Sequence, residues 1–410
     1  MKAQAAIGRD TLVLTTGLVA AQGLMLVVMP VWSRLYGPDE FAALGVWTAV
    51  VAVVSMLLLL RYDTSIVIAD GDAEARALLR LCLQLAAVGG VVLALVALAL
   101  PASLTAALGL QPLGQWLPLA VLAGALAAMF AALVGWANRT RRYPQITLSR
   151  LVLAGVAALA GCLLGGVAGG LLWAHLAGAV VGLAVMLATT RWSGPAGDVV
   201  AAARRHVAAP RYLWPAAMLD AITQQLPMLL AVAWFSQQQA GQFSLAWRVS
   251  AVPVLMLASA AGTVFYQSFA QLAGDPPAAR RALWSQWRRF ALLGALPSML
   301  LLGFGGPLFA AVFGPDWREA GWLAAAITPM LLAMLISSPT SGALIVLGLQ
   351  KWSPLFGLAM LVYRPAALWL GAQQGSLLLG LALWALAEMV AIVLYNALLL
   401  RHLRWAQAGA

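Results

Sequence analysis

Apolar residues run along this chain in long stretches, separated by short clusters of Arg, Asp, Gly and Pro. Twelve stretches, near 12–32, 41–60, 81–108, 113–136, 146–166, 167–190, 212–236, 243–270, 290–313, 320–347, 353–371 and 376–400, are each long enough to cross a ~30 Å hydrocarbon core as a helix. The pattern predicts an all-α integral membrane protein of twelve transmembrane helices. The first stretch exceeds a signal-peptide core and has no convincing cleavage site, so it is expected to be a retained span.

The gaps between the stretches are not equivalent. Every second gap is rich in Lys and Arg: Lys2 and Arg9; Arg61, Arg76 and Arg80; Arg139, Arg141, Arg142 and Arg150; Arg191, Arg204, Arg205 and Arg211; Arg280, Arg281, Arg288 and Arg289; Lys351; Arg401 and Arg404. The intervening gaps hold only Arg34 and Arg318, while Arg248 and Arg364 fall inside spans. Cytoplasmic loops of membrane proteins carry this excess, so both termini are expected to be cytoplasmic.

Composition changes the solvent but not the pattern. With 63% hydrophobic and 9% charged residues and a mean hydropathy of +0.92, the chain has too few charges to cover a soluble globule of its size. The net charge of +11 is then a leaflet signal, because the arginines cluster beside span ends rather than on an aromatic-interleaved face for nucleic acid.

Six spans precede the inner segment from Arg191 to Arg211, which contains Ser193-Gly194-Pro195 and Arg204-Arg205-His206, and six follow it. An even number per half starts both halves from the same side, as in parallel repeats. Trp32 and Trp234, and Phe41 and Phe243, echo one another at the same separation. The expected organisation is two six-helix lobes, 1–200 and 201–410, around a central cavity.

Polar residues within the spans fall at helical spacing: Thr11, Thr15 and Gln22; Thr48, Ser55 and Tyr62; Asp220 and Gln224; Arg248, Ser259, Thr263 and Tyr266. Interhelical hydrogen bonds account for the isolated Ser and Thr. Four ionisable residues ask for more: Asp220, Arg248, Arg364 and Glu388. Each costs about 2.5–3.5 kcal/mol at a helix centre, which partners, water or ligand must offset. Two arginines suit a phosphate clamp, because a guanidinium matches its oxygens with paired hydrogen bonds; the alternative is mutual neutralisation, with Asp220 or Glu388 facing either arginine. Asp220 and Glu388 are also candidates for binding and releasing a proton. Arg61-Tyr62-Asp63, at the inner end of the second span, reads either as an anchor pair or as a cytoplasmic gate. The segment from Asp275-Pro276-Pro277 through Trp284, Trp287 and Arg289 is expected to be a helix lying in the inner interface.

Several classes are excluded. Outer connections such as Gly109 to Gln115 and Ser236 to Gln242 leave no room for an extracytoplasmic catalytic domain. Neither lysine, Lys2 nor Lys351, sits in a phosphate-cradling Gly-rich loop, so no nucleotide motor is encoded. His175, His206 and His402 are far apart, and Cys82 and Cys162 lie within spans, which argues against a metal site or disulfide. No cofactor and no enzymatic activity are expected; transport would draw on an ion gradient.

A set of local motifs resembles the O-antigen flippases, polysaccharide transporters of the multidrug/oligosaccharidyl-lipid/polysaccharide exporter superfamily. They are Leu35-Tyr36-Gly37-Pro38-Asp39-Glu40-Phe41, Arg61-Tyr62-Asp63, Pro210 with Tyr212-Leu213-Trp214-Pro215, Gln224-Gln225-Leu226-Pro227, Gly241-Gln242-Phe243-Ser244-Leu245-Ala246-Trp247-Arg248-Val249, Val264-Phe265-Tyr266-Gln267, Phe313-Gly314-Pro315-Asp316-Trp317 and Leu347-Gly348-Leu349-Gln350-Lys351-Trp352. The resemblance implies two six-helix lobes around a cationic cavity in a bacterial inner membrane, moving an undecaprenyl-pyrophosphate-linked oligosaccharide from the cytoplasmic to the periplasmic leaflet. It places a substrate-facing role on Arg248. Substrate contact is expected at Arg248, Arg364, Gln224 and Tyr266, and ion coupling or gating, with a proton or sodium counter-ion, at Asp220, Glu388, Arg61 and Asp63. The rival readings are a multidrug or small-molecule antiporter of the same architecture and a membrane glycan-processing enzyme.

Overall fold

Lipid offers a backbone no water to bond, so apolar stretches must close their hydrogen bonds internally, and helices do so. The computed structural model describes residues 2–190, 194–195, 197–272, 274–349 and 352–408, with the backbone alone at 2–15, 263, 353–354 and 404–408. The side chains of Lys2, Arg9, Thr11, Thr15, Thr263 and Arg404, and all of Arg191, Ser193, Gln350 and Lys351, lie outside the described residues.

Among the described residues twelve helices are long and apolar enough to cross a membrane, and no strand occurs. We label them α1 (Lys2–Leu35), α2 (Pro38–Leu59), α3 (Asp72–Leu98), α4 (Leu117–Arg139), α5 (Tyr143–Leu163), α6 (Gly170–Thr189), α7 (Trp214–Trp234), α8 (Gln237–Ala270), α9 (Pro276–Phe313), α10 (Arg318–Ser337), α11 (Ser353–Gln373) and α12 (Leu377–Ala408). Contacts divide the chain into two compact units, Met1–Ala233 and Trp234–Ala410. By this measure α7 lies with the first unit, whereas the division after residue 200 counts it with the second half.

In the first unit α4 packs on α2 and α3, and α5 packs on α1 and α6. Lipid tails are as apolar as Leu, so helices there associate by close van der Waals approach, which small residues permit. Accordingly a Cβ added to Gly90 of α3 would come within 2.4 Å of the Ala125 Cβ on α4, beside the buried Ala86, Ala128 and Ala132. Larger buried side chains, Phe41, Leu44 and Trp47 of α2 and Leu133 and Trp136 of α4, fill the interior. The segment after α6 folds back onto the start of α3. There Arg76 Nε donates to the Pro195 carbonyl (2.8 Å), the Gly197 N–H to the Ala73 carbonyl (2.9 Å) and Arg205 pairs with Glu74 (2.9 Å). Asp198 caps the short helix Val199–Arg205 by accepting from the Val200 and Ala201 N–H groups.

In the second unit α10 is the central helix, packing on α8, α9 and α12, while α11 packs on α12. The α9–α10 seam is backbone against backbone: a Cβ on Gly321 would lie 2.0 Å from the Gly305 oxygen. Of the four echoing aromatics, Trp32, Phe41 and Phe243 are fully or almost fully buried and Trp234 is exposed.

Three sequence-derived boundaries are corrected. The third span begins at Asp72 and ends at Leu98, not at 81–108, because Pro101 stops it and the charged residues Asp72, Glu74, Arg76 and Arg80 form its first turns. The tenth ends at Ser337, where the Ser338–Thr340 turn carries Pro339. The segment 276–289 is not a separate interfacial helix: it forms the first turns of α9, which continues from it without a break up to a kink at Phe304. No Pro or Gly occurs between Ala278 and Leu293 to break it, and Asp275 caps its start by accepting the Ala278 N–H at 2.9 Å. The backbone departs from helical geometry only at Phe304, three residues before Pro307, where the proline ring displaces the preceding turn.

Candidate functional site

Arg364 of α11 and Glu388 of α12 meet across two adjacent helices. The guanidinium donates from Nε to Glu388 Oε2 (3.1 Å) and from Nη2 to Oε1 (2.9 Å), and the indole Nε1 of Trp384, one turn before Glu388, donates to Oε2 at 2.9 Å. Both charged side chains are buried, at 9% and 4% exposure. Trp384 also lies under the guanidinium, 5.8 Å from its ring centre, and stacks on Trp247 of α8, with Phe243 at its edge. The second unit therefore keeps a charge pair inside an aromatic box. Of the two arrangements left open by sequence, clamp or neutralisation, the structure describes Arg364 paired with Glu388.

Arg248 is next to Trp247 on α8 and is half-buried. Tyr266, five turns further along α8 by helical rise, is 42% exposed and its ring lies against Gly342, whose added Cβ would come within 2.6 Å of it. Asp220 and Gln224 of α7 sit one turn apart on an exposed face, where Gln224 Nε2 donates to Asp220 Oδ2 at 2.8 Å.

Arg61 and Asp63 follow the C-terminal end of α2. Leu60 and Arg61 both adopt left-handed backbone conformations (φ 48° and 63°), which ends α2 and turns the chain into the short helix Tyr62–Ile68. Side-chain-bearing residues pay about 1–2 kcal/mol each for that geometry. Arg61 Nε and Asp63 Oδ1 are buried without a hydrogen-bond partner. Burial raises the Asp63 carboxyl above its ordinary value; the nearby Arg61 charge and local backbone N–H groups offset part of that.

Three further residues, Arg139 among the loop charges and Trp214 and Gln242 within the motifs, make contacts that the sequence does not reveal. Arg139 closes the 62–68 turn by donating from Nη1 to the Ala69 carbonyl at 2.7 Å and to the Ile66 and Val67 carbonyls at 3.3 Å, while Nε reaches Asp72. Trp214, which follows a π-helical turn at Ala209–Leu213, donates to the Met56 carbonyl at 3.2 Å and so ties α7 to the C-terminal half of α2. Buried Gln242 joins two of the motifs: its Nε2 donates to the Asp316 carbonyl (2.7 Å) and its Oε1 accepts the Ala320 N–H (3.0 Å). The order of the motifs could have suggested that last contact; nothing local in sequence could have.

These helices build a fold shared with solved membrane transporters. The chain is similar to an inward-facing multidrug resistance MATE family transporter of the MOP superfamily (15% identity, TM-score 0.77, covering 94% of this chain and 96% of that chain). It is equally similar in fold to lipid II flippase MurJ in an inward closed conformation (10% identity, TM-score 0.77, 94% and 87%). A MOP superfamily transporter from Pyrococcus furiosus aligns with a TM-score of 0.61 at 12% identity over 97% and 95%. Among curated proteins, none matches in sequence. Residues 31–321 match the family described as polysaccharide biosynthesis protein, and the chain belongs to that family.

Proposed function

We propose that this protein is a flippase for an undecaprenyl-pyrophosphate-linked oligosaccharide, an O-antigen or exopolysaccharide repeat unit. It would move that substrate from the cytoplasmic to the periplasmic leaflet of a bacterial inner membrane, with the halves 1–200 and 201–410 alternating access. The observation that carries the reading is the match to the polysaccharide biosynthesis family, in a chain that keeps a guanidinium, paired with Glu388, buried in the bilayer region. An anionic headgroup has a use for it that a cationic drug does not.

Arg248 contacts the pyrophosphate, and Gln224 and Tyr266, both exposed on their helices, bond the sugar hydroxyls. An ionised Asp220 turned to acyl chains would cost about 2.5–3.5 kcal/mol, so its face of α7 lines water. Arg364 acts by exchange. Glu388 holds two of its donor arms; an arriving phosphate takes them, and Glu388 accepts a proton that keeps the buried region neutral. Proton coupling then enters at Glu388 and Asp220, and Arg61-Asp63 gates the inner side.

The multidrug antiporter is the second reading, favoured by the likeness of fold to the MATE transporter. Deleting the gene separates the two. Build-up of the lipid-linked sugar in the inner leaflet with loss of surface glycan supports flipping; unchanged glycan with altered drug resistance refutes it. Under the exchange reading, Glu388→Gln, delivered to the membrane in normal amount, loses the pH dependence of flipping. Retention of that dependence would exclude Glu388 as the proton site.

A further inference from the structure

The first turns of α9 carry more than an anchor. Their polar face, with the ends of α10 and α12, lines a groove of about 980 Å³ containing Arg280, Arg281, Trp284 and Arg288 of α9, Ile336 of α10 and Asn396 of α12. Among the described residues no Asp or Glu lines it. Among the described residues none of the three arginines has an ion pair or hydrogen bond. Asn396 spends its carbonyl on the Ser337 hydroxyl (2.9 Å), which leaves its amide N–H groups as donors.

Arg281, Trp284 and Arg288 are spaced three and four apart, so they share one helix face. The apolar run of α9 begins immediately after Arg289, which puts these residues at the level of lipid headgroups. Trp284 is half-exposed there, as interfacial tryptophans are. The volume is far more than one phosphate ion needs, and Ile336 supplies an apolar wall for a glycerol backbone and the first methylenes.

We infer that this groove binds the headgroup phosphates of an anionic membrane phospholipid, as a site separate from the transported substrate. Basic pockets between spanning helices have the chemistry for such headgroups: guanidinium pairs for the phosphates, an amide donor, and an interfacial aromatic alongside. The site stands whether or not the chain is a flippase, because none of its residues is used in that reading.

The test uses the full-length purified protein in neutral detergent, titrated with cardiolipin, phosphatidylglycerol or phosphatidylcholine and read by native mass spectrometry. Cardiolipin is expected to be retained well above phosphatidylcholine. Arg288→Gln should weaken cardiolipin about tenfold, the worth of one charge-assisted hydrogen bond. Arg289→Gln, which removes the same charge from the same helix but outside the groove, should change it less than about twofold, as exposed charges do. Arg280→Gln, from the groove wall, repeats the first result should Arg288→Gln not fold. Equal losses for Arg288→Gln and Arg289→Gln would reduce the effect to diffuse attraction and overturn the site. Competition by soluble pyrophosphate at the concentration of the lipid, or binding of undecaprenyl pyrophosphate without cardiolipin, would overturn the phospholipid as occupant.

Discussion

Replacing Glu388 by Leu strands a buried guanidinium and an indole N–H at once, and the size of the loss can be worked from the geometry. Glu388 accepts three hydrogen bonds, two from Arg364 and one from Trp384, at 2.9–3.1 Å and with both charges buried. Removing one partner of such a pair costs about 3–5 kcal/mol, because the other charge stays in a low-dielectric interior. Arg364→Met should lose a similar amount. The double variant removes both charges and replaces them with apolar groups of comparable volume, a change that is often neutral; the unpaired Trp384 N–H accounts for about 1–3 kcal/mol of residual loss. The double variant should therefore be more stable than either single one, with a coupling on the order of 3–9 kcal/mol from the difference between the summed single losses and the double loss. Unfolding of the three proteins and the parent by titration in denaturing detergent, followed by tryptophan fluorescence, measures it. A coupling below about 0.5 kcal/mol, the level of independent sites, would show that the two residues do not act as a unit.

Gly321→Ala should lose at least about 1–3 kcal/mol by forcing α9 and α10 apart, whereas Gly303→Ala, with nothing near its added Cβ, should be neutral or gain about 0.5–1 kcal/mol; thermal unfolding of the pair checks the seam. Asp63→Asn should stabilise the protein at neutral pH. The folded protein holds the Asp63 proton more tightly than the unfolded chain, so this group's stabilising contribution is present at acid pH and is lost as pH rises through its raised value; the gain in Asp63→Asn should grow over that window, and a gain independent of pH refutes the assignment. Arg139→Gln frees three carbonyls, and hydrogen exchange of residues 62–70 should quicken about tenfold or more while α6 is unchanged.

What could be read from sequence follows what lipid imposes. A bilayer demands about twenty apolar residues per crossing, so the number of spans was visible. It makes no demand on a helix that continues into water, so the starts of α3 and α9 were not: Asp72 to Arg80 and Arg280 to Arg289 lower hydropathy without ending a helix. Arg364 and Glu388 stood out because charge in a span is costly, yet they are 24 residues apart on neighbouring helices, and no periodicity predicts that they meet. Asp220 and Gln224 did meet as spacing suggested, being one turn apart on one helix. The Leu60-Arg61 turn left no mark at all, because glycine, the residue that signals such geometry, is absent.

That turn has a consequence for movement. Two consecutive left-handed residues without glycine hold roughly 2–4 kcal/mol against their preferred conformations; Thr64 fastens them directly, its hydroxyl donating to the Arg61 carbonyl at 2.7 Å, and Arg139 and the Tyr62–Ala203 contact fasten the segment that follows. The Leu60-Arg61 turn is thus a cocked latch: loosening its fasteners lets the backbone unwind, and each refastening must offset the same strain.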